Sequence, residues 1–466
     1  MSHFRESIER MIADPSVKEI KVADVPSTKR GDSVSLAGLV FDKPLVFRVR
    51  SCQVLVDFTG CTFEQDVSFD DCSSSRQFNF SACTFKGPAN FFRLTFANHG
   101  WLANAVFGKA RFESTASFQY AHFGETAESN NCADFNGTVF LGETRFNNCV
   151  ASGWISFTNC RFEQNVSFER AKFNGRTVFS DAKFSAGVTF KHASFKQANF
   201  NKAIFGDAAA FVEVTMPNQL EPDPNSIFGV KGFLFREVKL LAPELVEFRG
   251  REDQHIDLSC VSFLSTDVSN VIFVDEKWGS RPVLFGLRSR NATMDEKLIE
   301  HGIEYLEHPL GSLLPSFGKV KQLYRRLRHN YERAGRYAEA GDFFIGEMEM
   351  RRLDVKNVGT ALRWIYQNFS LLGLYKHLSL YGESYPRLGA WSGAIILTFA
   401  AIRTILLPGV TDVTMINRFF VELGNSIAAF MQMPISSTGF DVAERITSAP
   451  LLALLVISLK RNFERK

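Results

Sequence analysis

The sequence predicts a β-solenoid followed by an α-helical hairpin and a C-terminal transmembrane helical segment, and three observations carry that reading. Phenylalanine recurs on a stride of eleven residues in the first half of the chain, a helical period replaces it near Gly318, and a twenty-residue apolar stretch begins at Leu388. At 466 residues the chain is too long for one compact core, and domains are expected at 1–30, 31–211, 212–315, 316–380 and 388–466.

The stride is clearest where Phe157, Phe168, Phe179 and Phe190 form one series and Phe162, Phe173, Phe184 and Phe195 a second, offset by five. The unit is therefore 5+6, and FEQDVSF at Phe63–Phe69 nearly repeats FEQNVSF at Phe162–Phe168. A helix needs apolar spacing near 3.6 and a half-buried strand alternation at 2, so five and six fit neither. Self-similarity at so short a period marks a solenoid, in which identical rings stack coil upon coil. The position two before each Phe must then be small, as Ala110, Ala171, Ala182, Ala193, Cys83 and Cys160 are. On these residues the stretch from about Leu36 to Phe211 resembles the pentapeptide-repeat family. That resemblance implies a right-handed quadrilateral pentapeptide-repeat β-helix. Alternate repeats here carry a sixth residue, for which a bulge at one pair of corners is expected.

Composition narrows the rest. Phe supplies 47 residues, which the repeats explain, and the net charge of +3 argues neither for nor against an anionic partner. Between Arg161 and Lys202, however, eight basic residues (Arg161, Arg170, Lys172, Arg176, Lys183, Lys191, Lys196, Lys202) face three acidic ones. Cys61, Cys72 and Cys83 keep the eleven-residue stride, Cys149 and Cys160 run in register to Ala171, and no CxxC pair occurs. The cysteines thus read as buried small residues, with no metal or cofactor expected. The N-terminus shows no apolar signal region, which places the solenoid in a reducing cytosol.

In chain order, residues 1–30 read as a short amphipathic helix and a linker. The stride breaks near Asn98–Ala103 and Gly124–Asn131, where loops are expected to project. After Phe211 it weakens through MPNQLEPDPNS and resumes at Leu258, Phe263, Val268 and Phe273 up to Trp278. These are irregular final coils or a cap, since the open end of a solenoid exposes strand edges and stacked rings.

From Gly318, Val320, Leu323, Tyr324, Leu327 and Tyr331 form one helical stripe. Gly335 breaks it, and Tyr337, Ala340, Phe344 and Met348 form another. The first helix carries Lys319, Lys321, Arg325, Arg326, Arg328 and Arg333, with Arg336 at the turn. Two readings stand for Lys321, Arg325, Arg326, Arg328, Arg333 and Arg336. They are a solvated basic face near anionic lipid headgroups, or a site for an anionic ligand such as a nucleotide or oligonucleotide.

Leu388–Leu407 is long enough to cross a bilayer as a helix, and its one charge, Arg403, reads either as an anchor that snorkels from near the helix end or as a functional charge in the bundle interior. The second apolar run, Ala449–Leu459, crosses only if Ile446 and its neighbours join the same helix and the polar ends reach the interfaces; otherwise it is a half-inserted hairpin. Between them lies Arg418–Ile435, apolar but broken by Glu422, Asn425 and Gln432, then Ser436-Ser437-Thr438-Gly439. Span, short helix, hydroxyl-rich loop and second span resemble the two-transmembrane pore domain of tetrameric cation channels, although TVGYG is absent. The resemblance implies a homotetramer with Gln432, Ser436, Ser437, Thr438 and Gly439 lining the pore. The block YERAGRYAEAGDFFIGEMEM with Leu380-Tyr381-Gly382-Glu383 resembles bacterial pentapeptide-repeat proteins ending in an ion-channel-like segment. That implies a membrane effector in defence against phage.

Lys376, Arg387 and Lys460–Lys466 flank the outer ends of the two runs, whereas the segment between balances Arg418 and Arg445 against Asp412, Glu422, Asp441 and Glu444. The positive-inside rule then puts both termini in the cytoplasm, the membrane being a bacterial inner membrane. No P-loop, GxGxxG, HExxH or GxSxG occurs, and His329, His377, Glu347 and Glu349 read as surface, interface or ion-pair residues, so no enzyme is expected. The function expected is a gated homo-oligomeric pore in which the solenoid, through an Arg161–Lys202 surface, or the basic helices, through Arg325, Arg326 or Arg328, sense an anionic ligand or a regulatory protein. The alternative is a membrane-anchored scaffold for protein–protein interaction with no pore.

Overall fold

The computed structural model describes residues 2–25, 33–96, 105–124, 132–217, 221–222, 230–283, 288–301, 315–355, 359–406, 415–433 and 439–464. The loops expected at Asn98–Ala103 and, apart from Gly124, at Gly124–Asn131 lie outside them. The chain forms two compact units, Met1–Asn330 and Tyr331–Lys466.

The first unit is a parallel β-helix. Leu45 pairs with Val67 and Val67 with Ala89, a step of 22 residues per coil. Each coil therefore holds two 5+6 units and has four sides. One column of strands begins at Ile20–Val22 and ends at Ile272–Val274, so the coils start before residue 31 and run well past Phe211. Because coils rise by one strand spacing, about 4.8 Å, equivalent Phe rings meet face to face. Phe63, Phe85, Phe112, Phe140, Phe162, Phe184 and Phe205 stack with centroids 4.5–5.1 Å apart. Phe157 and Phe179 belong to a second column at 4.8 Å, Phe168 and Phe190 to a third at 5.0 Å, and Phe173 and Phe195 to a fourth at 4.9 Å. All thirteen are buried. Rings of neighbouring columns meet edge to face, as at Phe157 and Phe168, 5.5 Å apart, the arrangement their quadrupoles favour.

The two halves of the unit turn corners differently. In the five-residue half, the small residue's N–H donates back to the Phe carbonyl three positions earlier, as from Cys83 to Phe80 at 3.2 Å and from Ala110 to Phe107 at 2.9 Å. The residue before the small one is left-handed, with φ 56° at Ala82, 58° at Lys109 and 57° at Asn148. The sixth residue of the other half leaves the register between neighbouring coils intact. Thr84 and Phe85 stay in register with Thr62 and Phe63, and Ala89 with Val67, while the chain bends at Gly87 between them. A Cβ on Gly87 would lie 2.5 Å from the Gln65 carbonyl carbon, so only glycine fits that bend. A register shift does appear between Phe173 and Arg176, where the strand Lys172–Val178 runs through a corner.

Cysteine occupies the small position for a reason beyond size. The thiols of Cys61, Cys72, Cys83 and Cys160 donate to the carbonyls of Leu36, Phe47, Phe58 and Phe135, each one coil back. Burial pushes the Cys72 thiol up to about 12 and raises Cys149 and Cys160 too. The 22-residue coil also corrects one expectation. Arg161–Lys202 wraps almost twice around the helix, so Arg161 and Lys183 share one side while Lys172 stands on another, beside Val150 and Ser194. Its eight cations do not form one surface.

Both ends are covered. At the start, α1 (Ser2–Ala13) buries Ile8, Arg5 donates to the carbonyls of Ser35 and Ala37, and Lys43 Nζ caps the carbonyls of Met11, Ile12 and Asp14. At the far end stand a hairpin, Gly279–Val283 with Arg288–Ala292, then α2 (Met294–His301) and α3 (Phe317–Arg333).

The second unit is helical. It holds α4 (Tyr337–Leu353), α5 (Thr360–Phe369), α6 (Leu371–Ser379), α7 (Tyr385–Leu406), α8 (Met415–Phe430) and α9 (Gly439–Glu464).

Candidate functional site

In the second unit α7, α8 and α9 pack on one another around Leu388, Phe430 and Leu451. Two stretches, Tyr385–Leu406 and Gly439–Lys460, are long and apolar enough to cross a membrane; at 1.5 Å per residue, 22 residues rise about 33 Å. The first condition on the second run is met, since Ile446 and the polar residues before it belong to α9. Pro450 lies inside that helix, where it removes one ladder N–H. Large apolar side chains remain exposed on all three helices, among them Leu397, Ile405, Phe420, Val421, Ile446 and Val456.

Arg403 does not snorkel. It is 1% exposed and donates to Asp441 Oδ1 at 2.7 Å and Glu444 Oε2 at 2.6 Å. Ser426 of α8 donates to the other Glu444 oxygen and lies 2.9 Å from the Ile396 carbonyl. One charged network thus ties α7, α8 and α9. The charge contrast behind the expected topology shrinks accordingly, because Asp441 and Glu444 sit in α9 and face inward rather than lying in a loop. Of the residues expected to line a pore, Gln432 follows α8 with φ 60° and donates to Ser448 Oγ and the Arg445 carbonyl at 3.1 Å each. Gly439 opens α9, and Ser436, Ser437 and Thr438 lie outside the described residues.

The basic residues of α3 do not act alike. Arg325 and Arg333 are exposed, and Lys321, Arg326, Arg328 and Arg336 half-buried. Arg326 donates to the Thr266 carbonyl at 3.0 Å and lies 3.7 Å from Asp267, so it fastens α3 to the last coils. Asn330 donates to the carbonyls of Val268 and Val271, both at 2.7 Å. Arg336 pairs with Glu339 at 2.8 Å and lies over the Tyr331 ring. Beneath α3 runs a buried polar network that sequence reading missed. Glu296 binds Arg290 at 2.5 Å and Arg281 at 3.2 Å and accepts from Tyr324, while Asp295 accepts from Ser262 and the Phe263 N–H. Burial pushes the Asp295 carboxyl up against the pull of Arg236.

Glu349 of α4 is likewise inward. It binds Arg352 at 2.8 Å, Lys376 at 3.0 Å and the Tyr381 hydroxyl at 2.6 Å. Burial alone would raise its carboxyl, but these partners outweigh burial and hold it down at about 2. Tyr381 stands in a left-handed turn, Leu380-Tyr381-Gly382 with φ 50°, 60° and 81°, that joins α6 to α7. Backbone at such angles costs roughly 1–2 kcal/mol per non-glycine residue, so the buried contacts of Leu380 and Tyr381 hold the joint. His377 is exposed and Glu347 half-buried.

A parallel β-helix of stacked Phe, followed by helices of which two are apolar enough to span a membrane, defines the class of protein. Residues 130–172 and 168–215 match the family model described as Pentapeptide repeats (9 copies), and the chain carries such repeats. Over 224 residues it is 28% identical to the protein named Uncharacterized protein MJ1147 of Methanocaldococcus jannaschii. That match covers 46% of this chain and 46% of the relative, so it spans about half of the relative's length. No solved structure matches the chain.

Proposed function

We propose that this protein is a homo-oligomeric, ion-channel-like membrane effector, its pentapeptide-repeat β-helix and basic helix α3 lying in the cytoplasm and sensing an anionic ligand or partner. The observation that carries the proposal is the network of Arg403, Asp441, Glu444 and Ser426 buried among α7, α8 and α9. Charge at membrane depth is costly and marks ion pathways or their supports. Here it fixes α8, too short to span, between two helices that are long enough. Two spans enclose no conduit, so several copies must assemble, four by the channel layout. An anion held by Arg325 and Arg333 more tightly in one state than in another shifts opening by that difference in affinity. Defence of a bacterial cell against phage belongs to the same proposal, on the resemblance alone. The test is conductance of the purified protein in planar bilayers, with mass determination in detergent. A tetramer whose currents change on Arg325→Glu supports the proposal, and no current with any anionic ligand removes the pore.

The long regular sides of the β-helix favour a second reading, an anchored scaffold. A scaffold keeps its function when residues 388–466 are exchanged for an unrelated anchor; a pore loses it.

A further inference from the structure

We propose that α5 and the start of α6 form an amphipathic platform lying in the plane of the membrane, with its apolar face sunk among lipid headgroups and upper acyl chains. The proposal rests on the reading of α7 and α9 as spans and adds a second, shallower contact with lipid.

In α5, Leu362, Ile365, Tyr366 and Phe369 fall at i, i+3, i+4 and i+7, the spacing of one helix face. A face of that kind is normally buried in a folded unit, yet these side chains are 56%, 48%, 56% and 63% exposed, and Leu371 is 87% exposed. Away from that face the helix is tied to α4 at Gln367. Arg352 Nη1 donates to the Gln367 carbonyl at 2.9 Å, and Gln367 Nε2 lies 3.4 Å from the Leu353 carbonyl. Ten residues rise about 15 Å, half of what a span needs. A helix so short and so apolar therefore suits an interface rather than the bilayer core.

Its position within the unit names the occupant. The side chain of Ser370 caps α6 by accepting from the Gly373 N–H at 3.2 Å, which sets the corner between α5 and α6. α6 in turn packs on α7 and α9. Arg387 donates to the Lys376 carbonyl at 2.8 Å, and Trp391 Nε1 to the His377 carbonyl at 3.2 Å. The platform is thus pinned to the first two turns of a helix long enough to span, where the headgroup layer would lie. The residue types fit that layer. Tyr366 offers a ring with a polar edge and Arg363 supplies a cation beside it, while Trp364, 58% exposed, meets the Phe369 ring edge to face at 5.8 Å, the mixture that membrane-surface helices carry. The exposed apolar surface also continues along α7 through Leu397, as lipid contact requires. Through Lys376 and Tyr381 the platform reaches Glu349, so a change in α4 is passed to helices held at the membrane surface.

The experiment uses the whole chain in vesicles of phosphatidylethanolamine and phosphatidylglycerol, with a spin label on Phe369→Cys and, separately, on Leu397→Cys. The native cysteines are all buried, so the label goes to the new thiol. Collisions with oxygen, which partitions into lipid, are compared with collisions with a nickel chelate that stays in water. At 369 oxygen should outweigh nickel, at a depth of about 5–10 Å, and at 397 nickel should fail to reach the label. Leu362→Cys repeats the first reading on the same face should Phe369→Cys not fold. Nickel reaching 369 but not 397 overturns the platform and leaves the spans standing. A label at 369 shielded from both reagents also overturns it, since a second copy then covers the face. Nickel reaching 397 removes the spans and the platform together.

Discussion

Replacing Phe168 by Ala tests what holds the β-helix together. The ring is fully buried, stacked 5.0 Å from both Phe146 and Phe190 and edge-on to Phe157 and Phe179 at 5.5 and 5.4 Å. Deleting it leaves a cavity walled by backbone that parallel pairing holds apart, so little collapse is available. The cost should lie near the upper end of the 3–5 kcal/mol typical of Phe→Ala. Phe168→Leu, which keeps most of the volume and loses the ring contacts, should cost on the order of 1–2 kcal/mol. Because each coil touches only its neighbours, the loss should stay local. Native-state hydrogen exchange on the full chain in detergent reads this directly. The amides of Phe146, Phe168 and Phe190 donate to Ser167, Thr189 and Ala210 and should exchange about a thousandfold faster, 1.4 kcal/mol being a factor of ten. Amides near Phe63 should not change. Uniform acceleration along the whole β-helix, or none at Phe168, would refute the reasoning.

Four further outcomes follow from the same contacts. Ala82 is exposed with φ 56°, so Ala82→Gly should stabilise the corner by about 1 kcal/mol, while Gly60→Ala at φ 70° should destabilise it; thermal unfolding decides both. With every thiol buried, Ellman's reagent at pH 8 should find none in the folded protein and all eight in denaturant. Glu349 ionises more readily folded, at about 2, than unfolded, at about 4.3, so its contribution is complete above that range and fades as pH falls toward 2. The loss should reach roughly 3 kcal/mol and vanish in Glu349→Gln, as acid unfolding of the two proteins will show. Arg403→Leu strands two carboxylates and should cost about 3–5 kcal/mol; adding Asp441→Asn and Glu444→Gln should restore much of the lost melting temperature in detergent.

The β-helix was legible because its cause is periodic: a ring inside, a small residue two before it and a fixed coil length repeat in the text as they repeat in space. What escaped was whatever depends on partners far apart in the chain. Nothing near Tyr324 announces Glu296, 28 residues earlier, and the basic stripe of α3 looks uniform although Arg326 is fastened to Thr266 and Arg325 is exposed. The Arg161–Lys202 stretch misled for a related reason, since residues adjacent in sequence wrap around the coil to different sides.

The same blindness governs the membrane segment. Apolar residues alone delimit α9 from Ala449, because Asp441 and Glu444 read as charges of a polar loop. The structure turns them toward Arg403, 38 and 41 residues earlier, and the helix begins ten residues before its apolar run. A charge inside a span and charges just outside the next one are therefore a single signal when their signs oppose. Arg403 without acids in reach would have to lead its guanidinium back to water. With Asp441, Glu444 and Ser426 in reach it can stay inside, and the second helix becomes long enough to cross only because those acids are drawn in with it.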